Sequence, residues 1–110
     1  MPLITIHTSS ENQNNSLSPV LLDELRNFVA KELSCNSMEL NLNEISVRVI
    51  TSSLSKTIAD IEIVIIAHSY HERVQNQDKI CLSIKKFIED RCAPFTVYVW
   101  LQLSELGHSA

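Results

Sequence analysis

Glycine is almost missing from this chain: Gly107 is the only one in 110 residues. Loops that cradle phosphates need several glycines at fixed spacing, because the backbone itself must approach the ligand. P-loop and dinucleotide motifs are therefore excluded, and no nucleotide cofactor is expected. Long apolar runs are lacking too, since none approaches the roughly 20 residues of a membrane span. Residues 1–9 have neither the charged nor the apolar region of a secretory signal, so a soluble cytoplasmic protein without membrane contact is expected. A basic excess is also absent: 9 Lys and Arg face 13 Asp and Glu, a formal net charge of −4, which leaves no footprint for nucleic acid.

The three cysteines, Cys35, Cys81 and Cys92, form no paired motif and leave an odd thiol, which fits a reducing compartment. None has a base near it in sequence, so they do not read as nucleophiles. Cys81 falls among apolar residues at helical spacing and is most simply core. His68, His71 and Glu72 lie close together, yet no cysteine or third histidine stands beside them, and no metal is expected.

What is present is enough apolar residue, 45% of the composition, for one domain covering residues 1–110. A chain of this length buries roughly 60–70% of its unfolded surface. Residues 2–8 alternate as a short strand, and residues 9–16 are polar and read as a loop. Ser18 followed by Pro19 is a helix start. Leu22, Leu25, Val29 and Leu33, with Leu21 and Phe28, then give an apolar stripe over about 19–34. After a connection at Asn36–Asn43, Ile45, Val47 and Val49 alternate with Ser46, Arg48 and Ile50 in a second strand. A polar turn at about 52–57 leads to a third, with Ile61, Ile63, Ile65 and Ala67 on one face and Glu62, Val64, Ile66 and His68 on the other.

A loop at Ser69–Arg73 precedes a second helix with Ile80, Cys81, Ile84, Phe87 and Ile88 inward. Pro94 closes it, and a fourth strand carries Phe95, Val97, Val99, Leu101 and Leu103 against Thr96, Tyr98, Trp100 and Gln102. The fold class is α+β with the order βαββαβ: two fused β-α-β units at about 2–51 and 59–104 and a four-stranded mixed sheet with two helices on one face. Each crossover helix makes its two strands parallel. Aligning strand two with strand four sets Arg48 and Tyr98 at equivalent places. The helix-free face holds Ile50, Val64, Ile66, Tyr98 and Trp100 beside Arg48 and Glu62, which is too apolar for water. Self-association is expected to bury it, the alternative being a monomer with a solvent-facing Trp100.

Pro2 follows a removable Met1 at the head of the first strand. A freed secondary amine there, desolvated and near a cation, has a lowered pKa and is able to act as a general base near neutrality; the plainer reading is that proline is simply a common second residue. With Ser46-Val47-Arg48-Val49-Ile50 and the paired units, Pro2 gives the chain a resemblance to the tautomerase superfamily, which includes 4-oxalocrotonate tautomerase (4-OT), macrophage migration inhibitory factor and 5-carboxymethyl-2-hydroxymuconate isomerase. In length and fused halves it is most similar to the last branch.

That resemblance implies a cofactor-free keto–enol tautomerase, a homotrimer, and a small unsaturated 2-oxo or 2-hydroxy carboxylate as substrate. It implies Pro2 as general base, Arg48 as the arginine that binds a carboxylate or polarises a carbonyl, and Arg73 and Tyr98 as substrate-binding residues. The pattern departs at the site's mouth, where Asn12 stands in place of a substrate-binding arginine, Tyr70, His71 and Glu72 replace glycines, and Trp100 replaces an asparagine. A non-catalytic small-ligand-binding or interaction module, either an inactive relative or a ferredoxin-like regulatory domain, remains the alternative, because the same element order serves both.

Overall fold

The computed structural model describes residues 2–9, 18–34, 45–52 and 59–105. Cys35, Asn12, most of the first loop, the Asn36–Asn43 connection and the tail after Glu105 lie outside the described residues. The elements in order are β1 (Leu3–Ser9), α1 (Pro19–Leu33), β2 (Ser46–Ser52), β3 (Ile61–His68), α2 (His71–Gln75), α3 (Gln77–Arg91) and β4 (Val97–Ser104). The sheet runs β2-β1-β3-β4. β1 pairs parallel with β2 and β3 parallel with β4, while β1 and β3 meet antiparallel at the centre.

Helix α1 begins where its cap residues dictate. The Ser18 hydroxyl accepts from Leu21 N–H at 3.2 Å, and Pro19 stands at the first helical position, where its missing N–H costs nothing. Leu21, Leu25, Val29 and Leu33 recur every fourth residue and are all buried. On α3, Ile80, Ile84 and Ile88 do the same. Both stripes pack on one face of the sheet, against Ile4, Ile6, Ile61, Ile63, Ile65, Val97, Val99 and Leu101. The burial of β3 alternates strictly along its length, as a strand with one covered face requires.

The second helical region departs from the sequence expectation. Instead of a loop at Ser69–Arg73 before one helix, there is an extra turn, α2, in which Val74 N–H donates to Tyr70 C=O at 3.0 Å. Asn76 interrupts it: its side-chain amide and its backbone N–H both donate to Glu72 C=O, at 2.9 and 3.2 Å. α3 restarts from Asn76, whose C=O accepts from Ile80 N–H at 2.8 Å. The order is therefore βαββααβ.

Two local devices fix β4. Asp60 and Thr96 exchange bonds at the entrance: Asp60 N–H donates to Thr96 Oγ1 and Thr96 N–H to Asp60 Oδ2, both at 3.0 Å. At Leu101 the outer edge of the strand is occupied from within the chain. The Gln77 side chain donates to Leu101 C=O at 2.8 Å, and a Leu101 backbone hydrogen bond reaches Cys81.

The central strands carry the core, so truncating them costs most. Ile63→Ala, at a site with no exposed surface, is expected to lower unfolding free energy by about 2–5 kcal/mol. Val20→Ala, at a position 67% exposed, should stay within about 0.5 kcal/mol. Urea unfolding of both variants checks the pair.

Candidate active site

The register lays out the helix-free face in rows. Arg48, Thr5, Val64 and Trp100 lie side by side across the four strands, as do Ile50, His7, Glu62 and Tyr98. Leu3, Ile50, Tyr98 and Trp100 on this face are exposed, the two aromatics at 42% and 36%. Their rings stack at 4.4 Å. Arg48 is exposed at the β2 edge. The apolar outer face read from the sequence is thus present, with Leu3, Thr5 and His7 of β1 completing it.

Pro2 is elsewhere. It is fully buried, and its carbonyl accepts from Ser46 N–H at 3.2 Å, which joins the starts of β1 and β2. It shares the parity of Ile4 and Ile6, the helix-covered face, whereas Arg48 sits beside Thr5 on the open one. Continuing the register one step places Ile45 and Ala67 beside Pro2 and Leu103 beyond. Tyr98 is five residues back along β4 from there, so Pro2 and Tyr98 are separated by on the order of 19 Å. Within one chain, Pro2, Arg48 and Tyr98 do not converge.

Arg73 is placed differently again. It lies in α2 and is 2% exposed. Its Nε donates to Leu33 C=O at 2.9 Å and its Nη1 to His68 C=O at 2.8 Å, while its guanidinium carbon sits 4.7 Å from the centre of the Tyr70 ring. Nη2 has no partner among the described residues. Arg73 ties the end of α1 to the end of β3, beside the start of β1. Sequence reading missed this brace because both acceptors are main-chain carbonyls, one of them 40 residues away.

Tyr98 also lines a cleft of about 250 Å³ with Asp78, Cys81, Leu82, Lys85 and Val99. The four α3 residues fall at helical spacing next to the buried isoleucine stripe; Cys81 packs against the core as its spacing suggested, while Asp78, Leu82 and Lys85 belonged to no expected role. Among the described residues no cluster of three or more His, Cys, Asp or Glu is placed to hold a metal ion.

The four-stranded mixed sheet with its helices on one face defines a tautomerase-like α+β fold. Similar solved structures span nearly the whole chain. A fused 4-OT described as a wild-type symmetric trimer matches with a TM-score of 0.65 at 12% identity, covering 97% of this chain and 91% of its own. A macrophage migration inhibitory factor-like protein from Entamoeba histolytica matches with a TM-score of 0.59 at 16% identity, covering 98% and 95%. A protein of unknown function from Vibrio cholerae O1 biovar eltor matches with a TM-score of 0.63 at 16% identity, covering 99% and 83%. No family profile and no curated protein matches the sequence. At these identities the likeness shows the fold.

Among the described residues Cys81 and Cys92 are free thiols. Burial pushes both above the ordinary 9.0; the Leu101 hydrogen bond opposes this at Cys81, where Asp78 adds to it, and Arg91 opposes it at Cys92. The folded protein holds both protons at a pH where the unfolded chain releases them. Stability from this source is complete below pH 9.0 and is lost as pH rises through the raised values. Alkylation of the native protein at neutral pH should be slower at both thiols than at free cysteine. Cys92 should label only under denaturant, and rapid native labelling there would contradict its burial.

Proposed function

We propose that the protein is a cofactor-free tautomerase or isomerase of a small unsaturated 2-oxo or 2-hydroxy carboxylate, with the Pro2 amine as general base once Met1 is removed. The observation that carries this reading is Pro2 itself, fully buried at the head of a central strand in a tautomerase-like fold. A neutral secondary amine there takes the proton of the 2-hydroxyl, and the resulting ammonium returns it to a carbon of the conjugated system. The net change is a shift of one proton and one double bond, with no redox step. The developing charge needs a cation for the carboxylate and a donor for the oxygen. Arg48 supplies two parallel N–H groups, and Tyr98 supplies a hydroxyl.

Because these groups lie on opposite faces of one sheet, the site draws on more than one copy of the chain. Pro2 comes from one copy and Arg48 and Tyr98 from its neighbour, in a homotrimer that covers Leu3, Ile50, Tyr98 and Trp100. The likeness to a protein described as a symmetric trimer supports that assembly. The fused halves favour the 5-carboxymethyl-2-hydroxymuconate isomerase branch. Arg73 belongs to the same site as a substrate ligand only through Nη2, the nitrogen not engaged by the backbone. The separation of Pro2 from Arg48 within the chain is what favours the second reading, a non-catalytic ligand-binding module.

Two measurements test the reading. Ketonisation of 2-hydroxymuconate and phenylenolpyruvate, followed by ultraviolet absorbance, should exceed buffer and fall by about 10²–10⁴ in Pro2→Ala. A rate indifferent to Pro2, or a mature chain that retains Met1, would favour the binding module. Sedimentation velocity should place the wild type above the monomer and Trp100→Glu at it; a wild-type monomer would remove the shared site.

A further inference from the structure

An imidazole and a carboxylate meet in the middle of the open face. His7 on β1 stands directly across from Glu62 on β3, and the direction of the backbone bonds says how closely. Ile61 N–H and Ser69 N–H both donate into β4, to Thr96 and Ser104 C=O at 3.0 and 2.9 Å. Backbone groups alternate in direction along a strand, so those of Glu62 point the other way, toward β1. His7 and Glu62 are therefore a hydrogen-bonded pair of the ladder, with Cα atoms about 5.5 Å apart and side chains on the same face. Both are half-buried.

Apolar side chains flank the pair: Ile50 on β2, Val64 on β3, and Trp100 beyond Val64 on β4. Glu62 Oε2 accepts from Ala59 N–H at 3.4 Å. The other titratable groups on this side are Arg48, one row along at the exposed β2 edge, and Tyr98, next to Glu62 on β4. Arg48 is two strands and one row from Glu62, about 12 Å from backbone to backbone, so His7 is the nearer cation. Asp60, at the entrance to β3, accepts from Thr96 N–H and Oγ1. The apolar stripes of α1 and α3 pack on the opposite face.

We propose that His7 and Glu62 are a proton switch on assembly: copies of the chain associate through this face with a proton shared between the two side chains, and losing that proton above neutrality loosens the contact. This rests on the reading of the open face as the interface between copies. When a second copy covers the face, water leaves both groups. A carboxylate shut into an apolar contact without a cation is costly, and a protonated imidazole beside it cancels the charge. Each member of such a pair favours the charged form of the other. The assembly therefore holds a proton that separated copies release as pH rises past the ordinary imidazole range of about 6.5.

The test is the dissociation constant of the assembly, measured by sedimentation equilibrium at about pH 6 and about pH 8, on either side of the imidazole range. The wild type is expected to dissociate about tenfold more readily at the higher pH. Glu62→Gln removes the carboxylate and leaves a protonated His7 without a counter-charge, so the dependence should reverse, with the weaker assembly at the lower pH. His7→Gln leaves the carboxylate without its proton and should be weak at both. Replacing both residues by glutamine should restore tight assembly at both. His68→Gln, at the other end of β3, should keep the wild-type dependence. Where a variant does not fold, the wild type decides, because added salt screens repulsion between exposed charges but not a buried pair; a pH dependence that persists in salt supports the switch, and one that salt abolishes overturns it. An assembled wild type with the same constant at both pH values, or a Glu62→Gln protein that keeps the wild-type direction, would also overturn the switch while leaving the shared interface standing. A wild type that is monomeric at both would overturn the interface and the switch together.

Discussion

The antiparallel pairing of β1 with β3 is the constraint on which the rest of the molecule depends. It joins two parallel strand pairs that would each be a marginal two-stranded unit alone. It puts β1 in the middle of the sheet, so that the head of the chain, Pro2, is buried instead of frayed. It also sends β2 and β4 to opposite edges, which sets Arg48 and Trp100 at the two ends of one row. Because side chains alternate across a strand, the same register that hides Pro2 under the helices puts Arg48 on the open face.

From that geometry follows a division of labour. One end of the sheet, on its helix-covered side, is dry and holds a cation fixed by two backbone carbonyls. The open face carries the exposed Tyr98 and Trp100, stacked on each other, and the exposed Arg48 at the β2 edge. The proposed roles of Pro2 as base and of Arg48 and Tyr98 as substrate ligands, on opposite faces of the sheet, require copies of the chain to assemble so that the open face of one meets the buried end of another.

Much of the fold was legible because its signals are periodic. The four-residue recurrence of Leu21, Leu25, Val29 and Leu33 and the two-residue alternation of Ile61, Ile63, Ile65 and Ala67 state which face is covered, and the structure buries those residues. The Ser18–Pro19 start was legible for a local reason, a cap bond only three residues long. The turn of α2 was not, because it is closed by the backbone bond from Val74 N–H to Tyr70 C=O and ended by Asn76 bonding to Glu72 C=O, neither of which leaves an apolar pattern. The strand order was also hidden: alternation tells which face a residue takes but not which strand stands beside it. For the same reason the opposite placement of Pro2 and Arg48 was not foreseen, and neither was the burial of Arg73 against carbonyls distant in sequence.

The central claim is that Pro2 of one copy works with Arg48 of another. The most direct measurement mixes Pro2→Ala and Arg48→Ala proteins, each expected to be inactive alone, through a denaturation and refolding step that exchanges subunits. If sites are shared in a closed ring, equal mixing leaves roughly a quarter of the sites with both residues intact, so ketonisation should return to about that fraction of the wild-type rate. A mixture as inactive as its two components, with subunit exchange verified by mass, would contradict the account.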